Sequence, residues 1–321
     1  MPALPSSILV MVSVATFYKF VRVGDLLGLQ DSLYNCARKV GGLKGTILLA
    51  EEGINGTIAG KREAIDALAQ FLHQSPEFAD LQLKYSSGRD GNQVFSRFKI
   101  KIRPEIVTFG DPDIDPSRRT GKHLMADEWN SLIKDPEVML IDVRNHYEIG
   151  IGRFPNSIHP NSDSFKQFSD YVNRHLDSAS NKKIAMYCTG GIRCEKASAF
   201  MLDQGFKNVY QLEGGVLKYL ETVESEENHW EGECFVFDKR VSVDKDLQEG
   251  SYEQCFACRH PLSAEDMLSS NYKKGISCTY CIDHLTQRQI DSFKEREHQL
   301  SLAASKGKQY IGDSQSNDDV R

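Results

Sequence analysis

The stretch Tyr187-Cys188-Thr189-Gly190-Gly191-Ile192-Arg193-Cys194 follows the short apolar run Lys183-Ile184-Ala185-Met186, so a cysteine stands where a buried strand turns into a helix. Such a position favours a thiolate. Gly190 and Gly191 let the backbone fold tightly and turn its N–H groups inward. The helix that begins near Cys194 adds the positive end of its dipole, and Arg193 adds a full charge. Each lowers a thiol pKa, and the thiolate is the form that attacks an electrophile. A buried structural cysteine needs neither the paired glycines nor the arginine.

Spacing narrows the chemistry. A cysteine phosphatase needs a loop wide enough for a tetrahedral phosphate, with its arginine one position later than here. Arg193 stands five residues after Cys188, and a second cysteine follows at once. The loop suits one extra sulfur atom or a small oxyanion, and Cys188-Thr-Gly-Gly-Ile-Arg resembles the active loop of rhodanese-type sulfurtransferases. The flanks carry the same resemblance. Met139-Leu-Ile-Asp-Val-Arg144 reads as a buried strand ending in a charged turn, and Gly152-Arg-Phe-Pro-Asn-Ser-Ile-His-Pro160 follows it. Gly205 to Gly215 matches the last strand and glycine turn. The resemblance implies a parallel α/β domain over residues 120–220. Cys188, Arg193 and Cys194 are its candidate catalytic residues; Gly190, Gly191 and an ionic contact between Asp142 and Arg144 would shape the loop.

Working outward, residues 1–119 alternate strand-like and helix-like runs. Val12 to Val21, Gly45 to Ala50 and Gly53 to Gly60 read as strands; Leu26 to Val40 and the repeat Ala64-Ile65, Leu68, Phe71-Leu72 read as helices. Further strands are expected near Leu81 to Tyr85 and Phe98 to Ile102. The order is roughly βαββαβ, a split βαβ sandwich of the ferredoxin-like α+β type. A connector with Pro112, Pro116 and Arg118-Arg119 leads into the central domain. Beyond it, 221–303 opens with an exposed acidic linker, Glu221 to Glu233, holding six glutamates and no lysine or arginine. A cysteine-rich unit and a helix from Asp283 to Ser301 follow, then a polar tail, 304–321, expected to be disordered.

In the cysteine-rich unit, Cys255-x2-Cys258 and Cys278-x2-Cys281 are separated by nineteen residues, the spacing of two knuckles closing a tetrahedral four-cysteine zinc site. A unit this small has little core of its own, so a structural zinc would supply folding energy. His260 and His284 flank the knuckles as alternative ligands. Cys234 sits in an apolar run and is expected to be buried; Cys36 belongs to the core side of the first helix. Eight cysteines, including a loop that needs a thiolate, fit a reducing compartment. With neither a basic n-region nor a long apolar span near the N-terminus, a cytoplasmic location without membrane association is the expectation. The formal charge of −6 argues against a general polyanion binder.

A local signal points the other way. Between Lys84 and Arg103 lie six basic residues, Lys84, Arg89, Arg97, Lys99, Lys101 and Arg103, against one acid, with Tyr85, Phe95 and Phe98 among them. Cations attract phosphates and aromatic faces stack unpaired bases, the elements of an RNA surface, though alternate charges on a half-buried strand also make an ordinary solvated face. The whole chain resembles the oxygen-dependent tRNA uridine hydroxylase family, TrhO. The resemblance rests on Glu51-Glu-Gly-Ile-Asn-Gly-Thr57, the Tyr187 to Ser198 loop, Cys234 to Arg240 and the paired CxxC motifs. It implies hydroxylation of the wobble uridine of certain tRNAs to 5-hydroxyuridine, with dioxygen as co-substrate and Cys188 essential. Two roles stay open for Cys188: a thiolate adding to carbon 6 of uracil, or a reactive persulfide. Cys194 would assist, or resolve an oxidised sulfur. The sequence has no G-x-G-x-x-G nucleotide-cofactor motif. A plain sulfurtransferase using a Cys188 persulfide is the alternative, with a non-enzymatic RNA-binding adaptor or a phosphatase behind it.

Overall fold

The structure is a computed structural model that describes residues 12–88 and 94–306. The chain divides into two compact units, the first ending at Arg119 and the second beginning at Thr120, with residues 247–249 grouped with the first.

The first unit runs β1 (Val12–Phe20), α1 (Leu26–Val40), β2 (Lys44–Ala50), β3 (Gly53–Gly60), α2 (Arg62–His73), β4 (Lys84–Gly88) and β5 (Phe98–Ile102). Its sheet has the order β4-β1-β3-β2-β5. The first four strands give the split βαβ arrangement expected from the sequence, and β5 is an addition that runs parallel to β2. Alternation decides the buried face. Ala15 and Phe17, Ile47 and Leu49, Ile54 and Ile58, and Ile100 meet Leu33 and Ala37 of α1 and Ile65, Leu68 and Leu72 of α2 in one core. Each helix has an apolar stripe, and α1 starts where the Asp25 carboxylate accepts from the Gly28 N–H at 2.8 Å.

The second unit is built on a four-stranded parallel sheet of β6 (Lys122–Leu124), β7 (Met139–Asp142), β9 (Ile184–Tyr187) and β10 (Val209–Leu212), in the order β6-β10-β9-β7. α3 (Ala126–Ile133), α5 (Gln167–His175) and α6 (Ile192–Asp203) connect these strands. A short α4 (His146–Ile149) and β8 (Gly152–Arg153) follow β7, and α7 (Gly215–Thr222) follows β10. All four residues of β9 are buried, as a central parallel strand requires. Beyond α7 come β11 (Glu231–Gly232), the hairpin of β12 (Cys234–Phe235) and β13 (Ser242–Val243), β14 (Glu253–Gln254) paired with β15 (Pro261–Leu262), α8 (Ala264–Leu268) and α9 (Gln287–Ser305).

Two expectations shift. The run from Glu221 to Glu233 is not simply an exposed linker. Its backbone is tied down where the Asn130 amide donates to the Glu227 carbonyl at 2.7 Å, and β11 pairs antiparallel with β8. The cause is Trp230, an apolar ring within the acidic run, which is buried against Phe154 with ring centroids 5.2 Å apart. The last helix begins and ends four residues later than expected, because Thr286 and Gln289 form a capping box at its start. Of the tail expected to be disordered, residues 304–306 continue from or adjoin this helix, and 307–321 lie outside the described residues, as do 1–11 and 89–93. No helix among the described residues is long and apolar enough to cross a membrane.

Candidate active site

β9 ends at Tyr187, and the next residue, Cys188, is wholly buried at the foot of α6. Gly191 caps that helix at φ 97°, a left-handed conformation that glycine adopts without strain. The turn aims the Gly191 N–H at the Cys188 Sγ, 3.1 Å away. Burial alone would push the Cys188 thiol up. The Cys194 thiol donating to it, the charge of Arg193 and the backbone N–H groups of Cys194 and Arg193 outweigh that cost and bring it down to about 6. Cys194 moves the opposite way. Burial and the adjacent Cys188 sulfur hold it well above the ordinary thiol range, so it stays protonated and acts as the donor.

Arg193, expected to hold an anionic sulfur or a neighbouring phosphate, is paired with a carboxylate. Its guanidinium makes two parallel bonds to the Glu148 carboxylate, at 2.6 and 2.7 Å, and both groups are buried. Its charge still lowers the Cys188 thiol, while one N–H of each terminal nitrogen is paired to Glu148. Glu148 is a site residue that the sequence reading misses. The available signal was Asn145-x-x-Glu148, a capping box at α4 in which the Asn145 N–H donates to Glu148 Oε1 at 3.1 Å. Nothing in the 45-residue separation from Arg193 indicates the pairing.

Asp142 and Arg144 form a buried bidentate pair: Nε donates to Oδ1 at 2.9 Å and Nη2 to Oδ2 at 2.7 Å. The guanidinium also donates to the Gly152 carbonyl at 2.7 Å and lies 4.9 Å from the centre of the Trp230 ring. This contact braces the end of β7 and does not face Cys188 with an empty donor. Gly215, the end of the glycine turn noted in the sequence, is a second residue on which the loop depends. A Cβ there would stand 2.5 Å from the Cys188 carbonyl oxygen and 2.6 Å from the Gly191 nitrogen. Only a glycine lets α7 close on the loop, where the N–H groups of Val216 and Leu217 donate to the carbonyls of Cys188 and Thr189 at 2.9 and 3.0 Å.

Cys234 is buried, and burial pushes its thiol up to about 12, so it is not a second nucleophile. Cys36 is half-buried against the first unit's core. The four cysteines at 255, 258, 278 and 281 come together with all their sulfur atoms within 4.8 Å of one another. Sulfur separations of 3.7 Å, from Cys258 to Cys278 and from Cys278 to Cys281, approach the edge of a tetrahedron with zinc–sulfur bonds of about 2.3 Å. The donor set fits zinc. His260 does not join it: its ring stacks on Tyr280 with centroids 3.6 Å apart.

The basic stretch divides. Lys84 lies on β4, at one edge of the first sheet, while Lys99 and Lys101 lie on β5 at the other, with three strands between them. At about 4.8 Å per strand they do not form one stripe. The break arises because β4 and β5, next to each other in sequence, pair at opposite edges of the sheet, β5 with β2. Arg97, Lys99, Lys101 and Arg103 recur at every second position along and beside β5, opposite in phase to Ile100 and Ile102 on the core side. Arg89 lies outside the described residues.

Comparison with known proteins agrees with this layout. Residues 12–106 match the UPF0176 acylphosphatase like domain, and residues 125–222 match the rhodanese-like domain. A rhodanese-related protein from Thermoplasma volcanium is 26% identical over a match covering 31% of this chain and 91% of that one, with a TM-score of 0.25. A rhodanese-like domain protein from Staphylococcus aureus is 25% identical, covering 30% and 90%, with a TM-score of 0.26.

Proposed function

Because the chain joins an acylphosphatase-like domain to a rhodanese-like one, the domain architecture of the UPF0176 (TrhO) family, we propose that it hydroxylates the wobble uridine of tRNA to 5-hydroxyuridine, with dioxygen as co-substrate. The observation that carries the reading is the loop geometry at Cys188, buried at the foot of α6 with the Gly191 N–H 3.1 Å from its sulfur, where a neighbouring thiol, the Arg193 charge and backbone N–H groups bring its thiol down to about 6. Attack of that sulfur on carbon 6 of uracil breaks the 5,6 double bond and moves its electron pair to carbon 5, which becomes open to oxidation. One oxygen atom enters at carbon 5 and the other leaves as water, with two electrons and two protons from a thiol reductant. Loss of the carbon 5 proton then expels the sulfur and restores the ring. Cys194, kept as a thiol, stabilises the Cys188 thiolate before attack and after release. The cations along β5 would meet the tRNA backbone. The four-cysteine cluster would hold a structural zinc, and eight unpaired cysteines suit a reducing, cytoplasmic setting.

The test is nucleoside mass spectrometry of tRNA from cells lacking the protein, complemented with wild type or Cys188→Ser under labelled dioxygen. Labelled 5-hydroxyuridine returned by wild type alone is the expected result; hydroxyuridine unchanged by loss of the protein overturns the proposal. The rhodanese-like domain also supports a second reading, sulfur transfer through a Cys188 persulfide. Exchanging oxygen for sulfur and adding oxygen give the same nominal mass, so accurate mass separates them.

A further inference from the structure

The turn between β12 and β13 holds a conformation that the loop chemistry does not require. Val241 is buried at φ 65°, a left-handed backbone that a β-branched side chain avoids and that persists only where its surroundings enforce it. They do so with three ties. The Val236 N–H donates to the Val241 carbonyl at 2.9 Å, and the Val241 N–H donates to the Asp238 carbonyl at 3.2 Å. Arg240 grips the Asp238 carboxylate through Nε at 2.9 Å and Nη2 at 2.6 Å, with both groups buried. What this bracing presents is the tip. Phe237 is 61% exposed and Lys239 is exposed, while their neighbours Val236, Asp238 and Arg240 are buried. The Phe237 ring stands edge-on to Phe235, with centroids 5.2 Å apart, and the guanidinium carbon of Arg193 lies 5.6 Å from its centre.

We propose that Phe237 and Lys239 form the clamp for the target nucleotide, the ring stacking on the unpaired base presented to the Cys188 loop and the ammonium meeting a flanking phosphate. The inference rests on the RNA reading given above and names the residues that would seat the substrate. A base must leave its stack before chemistry can reach it, and an exposed aromatic face beside the active loop replaces the lost stacking whatever the base's hydrogen-bonding edge. Arg193 is buried and paired to Glu148, whereas Lys239 is an exposed cation on the tip beside Phe237.

The experiment uses the full chain and an anticodon stem-loop RNA carrying 5-iodouridine at the wobble position, cross-linked by light and mapped by peptide mass spectrometry, with affinity measured in parallel. Neither readout needs turnover. Wild type should cross-link at Phe237. Phe237→Ala should lose the cross-link and bind roughly 5- to 150-fold more weakly, while Phe237→Tyr should keep both. Lys239→Glu should weaken binding and flatten its salt dependence. Since the alanine variant also loses the Phe235 contact, the tyrosine and Lys239 variants decide if it misfolds. RNA bound by wild type with the cross-link elsewhere, or with affinity indifferent to both positions, overturns the clamp and leaves the RNA reading standing. No RNA binding by wild type overturns both.

Discussion

Replacing Cys188 by serine should change how the stability of the second unit depends on pH. The Cys188 thiol falls from 9.0 to about 6 on folding. At about 1.36 kcal/mol per pH unit, that fall is worth about 4 kcal/mol of stability. The sign follows from the direction. A group whose pKa is depressed in the folded state stabilises fully above its unfolded pKa, and the contribution is lost as pH falls through the folded one. The wild type should therefore gain over Cys188→Ser by about 3.3 kcal/mol between pH 6 and pH 9, with about 1.4 kcal/mol of the stabilisation already present at pH 7. A convenient probe is built in. Both tryptophans, Trp129 and Trp230, lie in this unit and pack on Phe154 with ring centroids 5.7 and 5.2 Å away. Urea unfolding followed by tryptophan fluorescence therefore reports the unit that holds the loop. The quantity of interest is the difference between the two proteins at each pH, which cancels every titration they share. A difference that stays constant to within about 0.5 kcal/mol from pH 6 to pH 9 would refute the claim that this site holds a thiolate.

Three further outcomes follow from the same geometry. Cys194→Ala removes a donor to a charged sulfur, so the Cys188 thiol should rise by roughly 1–2 pH units, read from thiolate ultraviolet absorbance against a Cys188→Ser blank. Glu148→Gln strands a buried guanidinium and should destabilise the second unit by about 3–5 kcal/mol, with Glu148→Gln/Arg193→Met recovering much of the loss; denaturation midpoints of the single and double variants check it. Elemental analysis should find about one zinc ion per chain. Removing it with a chelator, or substituting Cys278→Ser, should raise hydrogen exchange across residues 250–306 while leaving 12–106 unchanged.

Short-range patterns carried most of what could be read from the chain in advance. The position of the candidate nucleophile followed from an apolar strand, two glycines and an arginine. The limits of α1 followed from its apolar stripe, and the cysteine cluster from its ligand spacing. What escaped was set by tertiary partners. Arg193 looked like an anion-binding group because its loop supplies no carboxylate; the one it meets comes from α4. The basic run between Lys84 and Arg103 looked continuous because sequence order hides that β4 and β5 lie at opposite edges of the sheet. Glu221 to Glu233 looked like a solvated linker because six charges outnumber one tryptophan, yet a single buried ring is enough to anchor the segment.

The closed ion pair between Arg193 and Glu148 leaves little net positive charge beside Cys188. A phosphate, arsenate or thiosulfate dianion approaching Cys188 would meet an arginine already neutralised by a carboxylate, beside a sulfur that is itself negative. Repulsion and the cost of desolvating a double charge both oppose its entry. A neutral heterocycle pays neither penalty. On this geometry, lengthening the loop to phosphatase dimensions should not by itself create a dianion site; removing Glu148 as well would free the arginine for one.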